Sequence, residues 1–206
     1  MKRAVLLFLA TVTFMAMQSQ TTTRWGVTLG ANYNTVHFKQ SDIMEVDAGY
    51  GPIAGLTGEM NIPGIGFAVD MSLLYSMRTS KLHLGDRKVW SSLGYGNETC
   101  MMHYIDIPLT LKLKYNRLNG LEDKFKPMVY FGPVFSIIAG KNLTDVLSYT
   151  SLSVMLRAGL GMELCNRWQL SAAYSFSVGN TLRTQLLDEN YAKNRCWSLT
   201  LSSYFD

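Results

Sequence analysis

The chain has 206 residues, 48% hydrophobic and 12% aromatic, with 19 basic against 15 acidic side chains and a net charge of +4. That length suits one domain and leaves little room for two, and the basic residues are too scattered to form the patch that nucleic-acid binding needs. The 3 cysteines are too few for a disulfide framework, and past the N-terminus nothing approaches the roughly 20 consecutive apolar residues of a spanning helix.

Residues 1–19 read as an export signal, because Lys2 and Arg3 precede an apolar run from Ala4 to Met17 that ends at the small Ser19. An uncleaved anchor is the alternative, for which the apolar run is short. No cysteine stands near Ser19 to accept a lipid, and residues 20–206 are left as one domain.

From Arg24 onward apolar side chains recur with period two, the spacing that puts them on one face of a strand. Over 24–34, Trp25, Val27, Leu29, Ala31 and Tyr33 oppose Gly26, Thr28, Gly30 and Asn32. Over 50–61, Tyr50, Ala54, Leu56 and Met60 oppose Gly51, Gly55, Thr57 and Glu59, with Ile53 out of pattern. The run 67–77 alternates Phe67, Val69, Met71, Leu73, Tyr75 and Met77 with Ala68, Asp70, Ser72, Leu74 and Ser76.

Over 104–115 the apolar set is Ile105, Ile107, Leu109, Leu111, Leu113 and Tyr115, against Asp106, Thr110, Lys112 and Lys114. The run 127–139 is apolar on both faces, and its register is read with Val129, Phe131, Phe135 and Ile137 outward. Over 152–164, Leu152 to Leu164 at even positions oppose Ser153, Arg157, Gly159, Gly161 and Glu163. The last two runs, 168–178 and 197–205, carry Trp168, Leu170, Tyr174 and Phe176, then Trp197, Leu199, Leu201 and Phe205, on their apolar faces. Tight connections near 61–66 and 165–167 contrast with long ones at 35–49, 78–102 and 180–194, an asymmetry that belongs to bacterial membrane barrels, although the connection from Asn116 to Lys126 is longer than a tight turn and weakens the pattern.

Alternation alone does not say which face points inward. Aromatic side chains choose: Trp25, Tyr33, Tyr50, Phe67, Tyr75, Tyr115, Trp168 and Trp197 stand at the ends of the apolar faces, where interfacial girdles hold them. The expected fold is therefore all-β, a closed antiparallel up-and-down transmembrane barrel of about eight strands, since only a closed sheet satisfies every backbone group in hydrocarbon. Glu59, Asp70, Asp106, Lys112, Lys114, Arg157 and Glu163 fall on the inner face as a lumen charge network, with Asp106 expected to pair with Arg157. A soluble barrel with apolar faces inward is the contrary reading.

The segments Tyr104-Ile105-Asp106-Ile107-Pro108-Leu109 and Tyr130-Phe131-Gly132-Pro133 resemble the corresponding strands of the PorT-like outer-membrane β-barrel family, small barrels of Gram-negative bacteria. The resemblance spans the mature chain and implies location and fold more than activity. It implies insertion by the barrel-assembly machinery, which reads a C-terminal aromatic; Phe205 fits, although Asp206 follows it.

His37, His83 and His103 raise a lipid A-modifying activity, but no nucleophile spacing accompanies them, so no catalytic residue is assigned. Cys100 and Cys196 both fall near the outer rim and are candidates for a disulfide. Asn97-Glu98-Thr99 and Asn142-Leu143-Thr144 match the glycosylation pattern by chance, and no metal or cofactor motif is present. The expected role is structural or surface interaction, with outer-membrane lipid around the barrel and an extracellular ligand or protein at the long loops. A narrow solute channel is the main competitor, disfavoured because eight strands enclose an interior that side chains fill.

Overall fold

A computed structural model describes residues 22–38, 45–62, 66–83, 97–115, 124–141, 147–149, 152–179, 182–184 and 191–205. The export signal expected at 1–19, the sequence around Asn142, and the side chains of His37, His83, Asn97 and Cys100 lie outside the described residues.

Among the described residues ten strands form: β1 (Thr22–Phe38), β2 (Glu45–Ile62), β3 (Phe67–His83), β4 (Asn97–Lys114), β5 (Phe125–Lys141), β6 (Leu147–Tyr149), β7 (Leu152–Leu164), β8 (Trp168–Ser177), β9 (Leu182–Thr184) and β10 (Tyr191–Phe205). Eight of them pair in the ring order β1-β2-β3-β4-β5-β7-β8-β10, and β10 returns to β1, closing the barrel. The short β6 and β9 pair with each other, and β9 adds to the top of β10, so the connections at 142–151 and 178–190 carry strand pairing that the sequence pattern does not signal.

The ladder fixes the barrel's geometry. From Thr22, partners run through Asn61, Ala68, Lys112, Tyr130, Gly159, Ala173 and Ser198 and return to β1 at Asn32, ten residues further along. A stagger of that size over eight strands tilts them by about 40° and gives a backbone radius of about 8 Å.

Outward side chains are those of the apolar faces: Trp25 is 61% exposed and Leu160 66% exposed, while Thr28, Asp70 and Lys112 are buried within the barrel. In β5, Val129, Phe131, Phe135 and Ile137 face outward and Met128, Val134 and Ser136 inward. Ile53, out of pattern in the sequence, is a lumen side chain beside an irregularity in the β2–β3 ladder. Strands β1 to β4 extend well past the runs expected from alternation, to Phe38, Glu45, His83 and Asn97. Along these extensions the inner side chains Arg78, Ser80 and Met102 stay buried while the outer face no longer has to be apolar, so pairing persists while the period-two signal fades.

The two segments that carry the family resemblance are neighbours. Pro108 pairs with Val134 and Leu111 with Phe131, and the ladder is interrupted between them, as a proline without an N–H requires. Gly132 faces this gap: a Cβ there would lie 2.1 Å from the Leu109 carbonyl oxygen, so only glycine lets the strands approach. At the β7–β8 turn, Arg167 N–H donates to the Leu164 carbonyl at 3.1 Å, and both central residues, Cys165 (φ 51°) and Asn166 (φ 56°), are left-handed, as primed hairpin turns demand.

Candidate functional site: the barrel lumen

The inward positions of seven strands converge near the tight-turn end. Arg24 (β1), Glu59 (β2), Asp70 (β3), Lys112 and Lys114 (β4), Glu163 (β7), Gln169 (β8) and Tyr204 (β10) form one connected network, all of it buried. Glu59 is its hub. Its carboxylate accepts from Arg24 Nη2 at 2.7 Å, Lys112 Nζ at 3.0 Å, Gln169 Nε2 at 3.1 Å and Lys114 Nζ. Glu163 accepts from Lys114 Nζ at 2.7 Å, from Gln169 Nε2 at 3.2 Å and from Arg24. Lys112 Nζ also donates to Asp70 Oδ2 at 2.8 Å and Gln169 Oε1 at 2.7 Å.

Asp70 further accepts from Thr57 Oγ1 at 3.0 Å, and the Arg24 guanidinium lies 4.3 Å from the Tyr204 ring centroid. Three cations thus face three carboxylates, with amide and phenol groups taking the remaining hydrogen bonds. Such balance is what makes a charge cluster tolerable away from bulk water, since each unpaired ion would carry a desolvation cost of several kcal/mol. The network crosses the lumen and plugs it.

Above the plug a cavity of about 40 Å³ remains, lined by Thr28, Ser72, Pro108, Arg157, Ser171 and Thr200 among others. That is room for one or two waters, not a solute. Higher still, Arg78 Nη2 donates to both Asp106 oxygens at 2.8 and 2.6 Å and to Ser136 Oγ at 3.2 Å, while its guanidinium stacks 4.3 Å from the Tyr104 ring. Val134, Met155 and Cys196 pack together as an apolar lumen cluster.

The expected pairing of Asp106 with Arg157 is corrected: Asp106 pairs with Arg78, and Arg157 Nε donates to Ser175 Oγ at 3.1 Å. Arg157 lies on β7, beyond β5 from Asp106, whereas Arg78 is on the adjacent β3 and reaches down its own face. The other expected lumen residues, Glu59, Asp70, Lys112, Lys114 and Glu163, are brought together in the plug. Arg24, Gln169 and Tyr204 join it without having been singled out, though each shares the parity of the small polar face in its strand.

The expected Cys100–Cys196 disulfide is also corrected. Cys196 is a free thiol buried in the lumen. Cys100 belongs to β4, four strands round the ring from β10 in either direction, so the two backbones stand on opposite walls, far beyond the ~7 Å limit for bridging. Cys165 is free and exposed at the β7–β8 turn.

His103 sits on the outer wall rather than in the lumen. Its Nδ1 shares a 2.6 Å hydrogen bond with the Tyr75 hydroxyl, and the rings stack at 5.9 Å. No cluster of histidine, cysteine and acidic residues able to hold a metal ion occurs among the described residues.

Comparison with known proteins agrees with this architecture. The sequence matches the family model of the outer membrane protein beta-barrel domain over residues 18–183, stopping short of β10, the strand that closes the ring. Neisserial surface protein A is similar in structure, with a TM-score of 0.52 at 10% identity, covering 88% of this chain and 97% of that one. OprG from Pseudomonas aeruginosa gives a TM-score of 0.49 at 10% identity, covering 90% and 95%. No curated protein matches the sequence.

Proposed function

The chain belongs to the outer membrane protein beta-barrel domain family, and from that premise we propose that it is a structural or surface-interaction barrel, conducting no solute and catalysing no reaction. The observation that carries this is the plug. A charge-balanced network from seven of eight strands, with a cavity of only about 40 Å³ above it, supports a lumen that serves the scaffold. Contacts with other molecules then fall to the end bearing the long connections at 84–96, 142–151 and 178–190, which in such barrels faces outward from the cell.

The PorT-like resemblance supports the finer family reading, and export by residues 1–19 followed by assembly-machinery insertion supports the route. The non-enzymatic reading draws support from His103, whose ring is engaged by the Tyr75 hydroxyl on the outer wall. Planar-bilayer recording of the purified barrel tests the first half, with no discrete conductance expected. Cells carrying the barrel, compared with cells whose version has the three connections shortened, should differ in attachment to protein-coated surfaces. Stepwise conductance would overturn the proposal, and identical attachment by both cell types would overturn its surface-interaction half.

A further inference from the structure

The lipid-facing wall is not smooth. Ladder pairing sets Ala158 between Phe131 and Tyr174, and Ala172 beside Leu160, so two small side chains lie among large ones. The result is an oblique trough of about 600 Å³ whose lining runs from β3 and β4 across β5, β7 and β8 to β10. Val129 and Phe131 form one wall, Leu160 stands opposite, and the Tyr174–Trp197 pair, with ring centroids 4.9 Å apart, closes the upper end. Tyrosine and tryptophan apart, every lining residue is apolar. The volume falls in the range of small-molecule sites, roughly 300–1,000 Å³.

A trough in the hydrocarbon-facing wall of a membrane barrel is filled by apolar chain, and the rim below it points to which one. Lys124 and Arg167 are exposed there and Lys126 is half-buried, the two turns being joined by Cys165 N–H donating to the Lys124 carbonyl at 3.0 Å. From Lys124 to Val129 the strand runs about 16 Å at ~3.3 Å per residue, which a tilt of about 40° turns into about 13 Å of depth, a span that separates a headgroup from the middle of its own acyl chain. The tight connections between β2 and β3 and between β7 and β8 mark this as the periplasmic end.

We propose that the trough seats one acyl chain of an anionic phospholipid of the periplasmic leaflet, its phosphate held at Lys124 and Arg167. Small alanines at the floor and cations at the rim then form one site, apolar along its length and basic at its foot.

The test uses the full barrel with Trp197 as its single tryptophan (Trp25, Trp90 and Trp168 each changed to Phe) in phosphatidylcholine nanodiscs. A minor fraction of phosphatidylglycerol with brominated acyl chains should quench Trp197 more than the same fraction of brominated phosphatidylcholine. Lys124→Ala and Arg167→Ala should each lower that preference by about fivefold. Ala158→Leu with Ala172→Leu fills the trough and should abolish the excess quenching, while unchanged heat-dependent gel migration certifies that the variant is folded. Equal quenching by both lipids, or an excess that survives filling the trough, would overturn the proposal. So would a preference for brominated lipid A, or dimers cross-linked through Ala158→Cys, which would identify an outer-leaflet lipid or a second copy as the occupant.

Discussion

Replacing Glu59 by glutamine removes one carboxylate from a cluster in which three cations face three anions. Contacts at 2.7 Å to Arg24 and 3.0 Å to Lys112 are each worth roughly 5–6 kcal/mol of gross attraction at an effective dielectric of about 20. Most of that is offset by the desolvation of both partners, so the pairs contribute far less than their sum. Removing one partner is different, because the offsetting cost remains: Arg24, Lys112 and Lys114 stay buried against only Asp70 and Glu163. The expected loss is about 3–5 kcal/mol. Reversible denaturant unfolding in phospholipid vesicles, followed by tryptophan fluorescence and by heat-dependent gel migration, measures it. Adding Lys114→Met restores equal numbers of charges and should recover part of the loss. A single variant within about 1 kcal/mol of the parent, or a double variant less stable than the single, would refute the view that the plug stabilises by charge balance.

Arg78→Met and Asp106→Asn should each destabilise by about 3 kcal/mol or more, with strong coupling in a double-mutant cycle in the same unfolding assay, whereas a cycle between Arg157→Met and Asp106→Asn should show none. Gly132→Val drives a side chain into the Leu109 carbonyl and should cost at least about 2 kcal/mol or block heat-resistant folding; parent-like unfolding would deny the close approach. Cys165→Gly relieves a left-handed non-glycine and should gain about 1 kcal/mol, read as a higher denaturant midpoint. In thiol labelling of the folded barrel with peptide mapping, Cys165 should react at once and Cys196 only after unfolding; a Cys196 adduct on the folded protein would contradict its place in the lumen.

The barrel was legible because a membrane imposes one strict rule on each strand: alternate side chains meet hydrocarbon or a crowded lumen. Trp25 through Tyr33 and Phe67 through Met77 obey it without exception, and the wall they build is the one expected. Where the rule relaxes, sequence loses the structure. The upper reaches of β3 and β4 keep a buried inner face, with Arg78, Ser80 and Met102 in the lumen, but their outer face passes from hydrocarbon to water, so 78–83 and 97–102 read as loop while the backbone ladder continues through them.

Arg78 shows what that loss costs. It continues the inward series Asp70, Ser72, Leu74 and Ser76, so parity alone carries its signal. Truncating the strand at Met77 hides it, and Arg157 then becomes the nearest basic residue for Asp106. The register decides otherwise: Leu74 stands opposite Asp106, so Arg78, one strand away and four residues up, leans down its own face to the carboxylate. Arg157 stands opposite Ser175 and bonds there. Parity tells which wall a charge faces; only the stagger of the ring tells which opposite charge shares its height. That is why Glu59, Asp70, Lys112, Lys114 and Glu163 were visible in the sequence as inward charges while the partner of Asp106 was not.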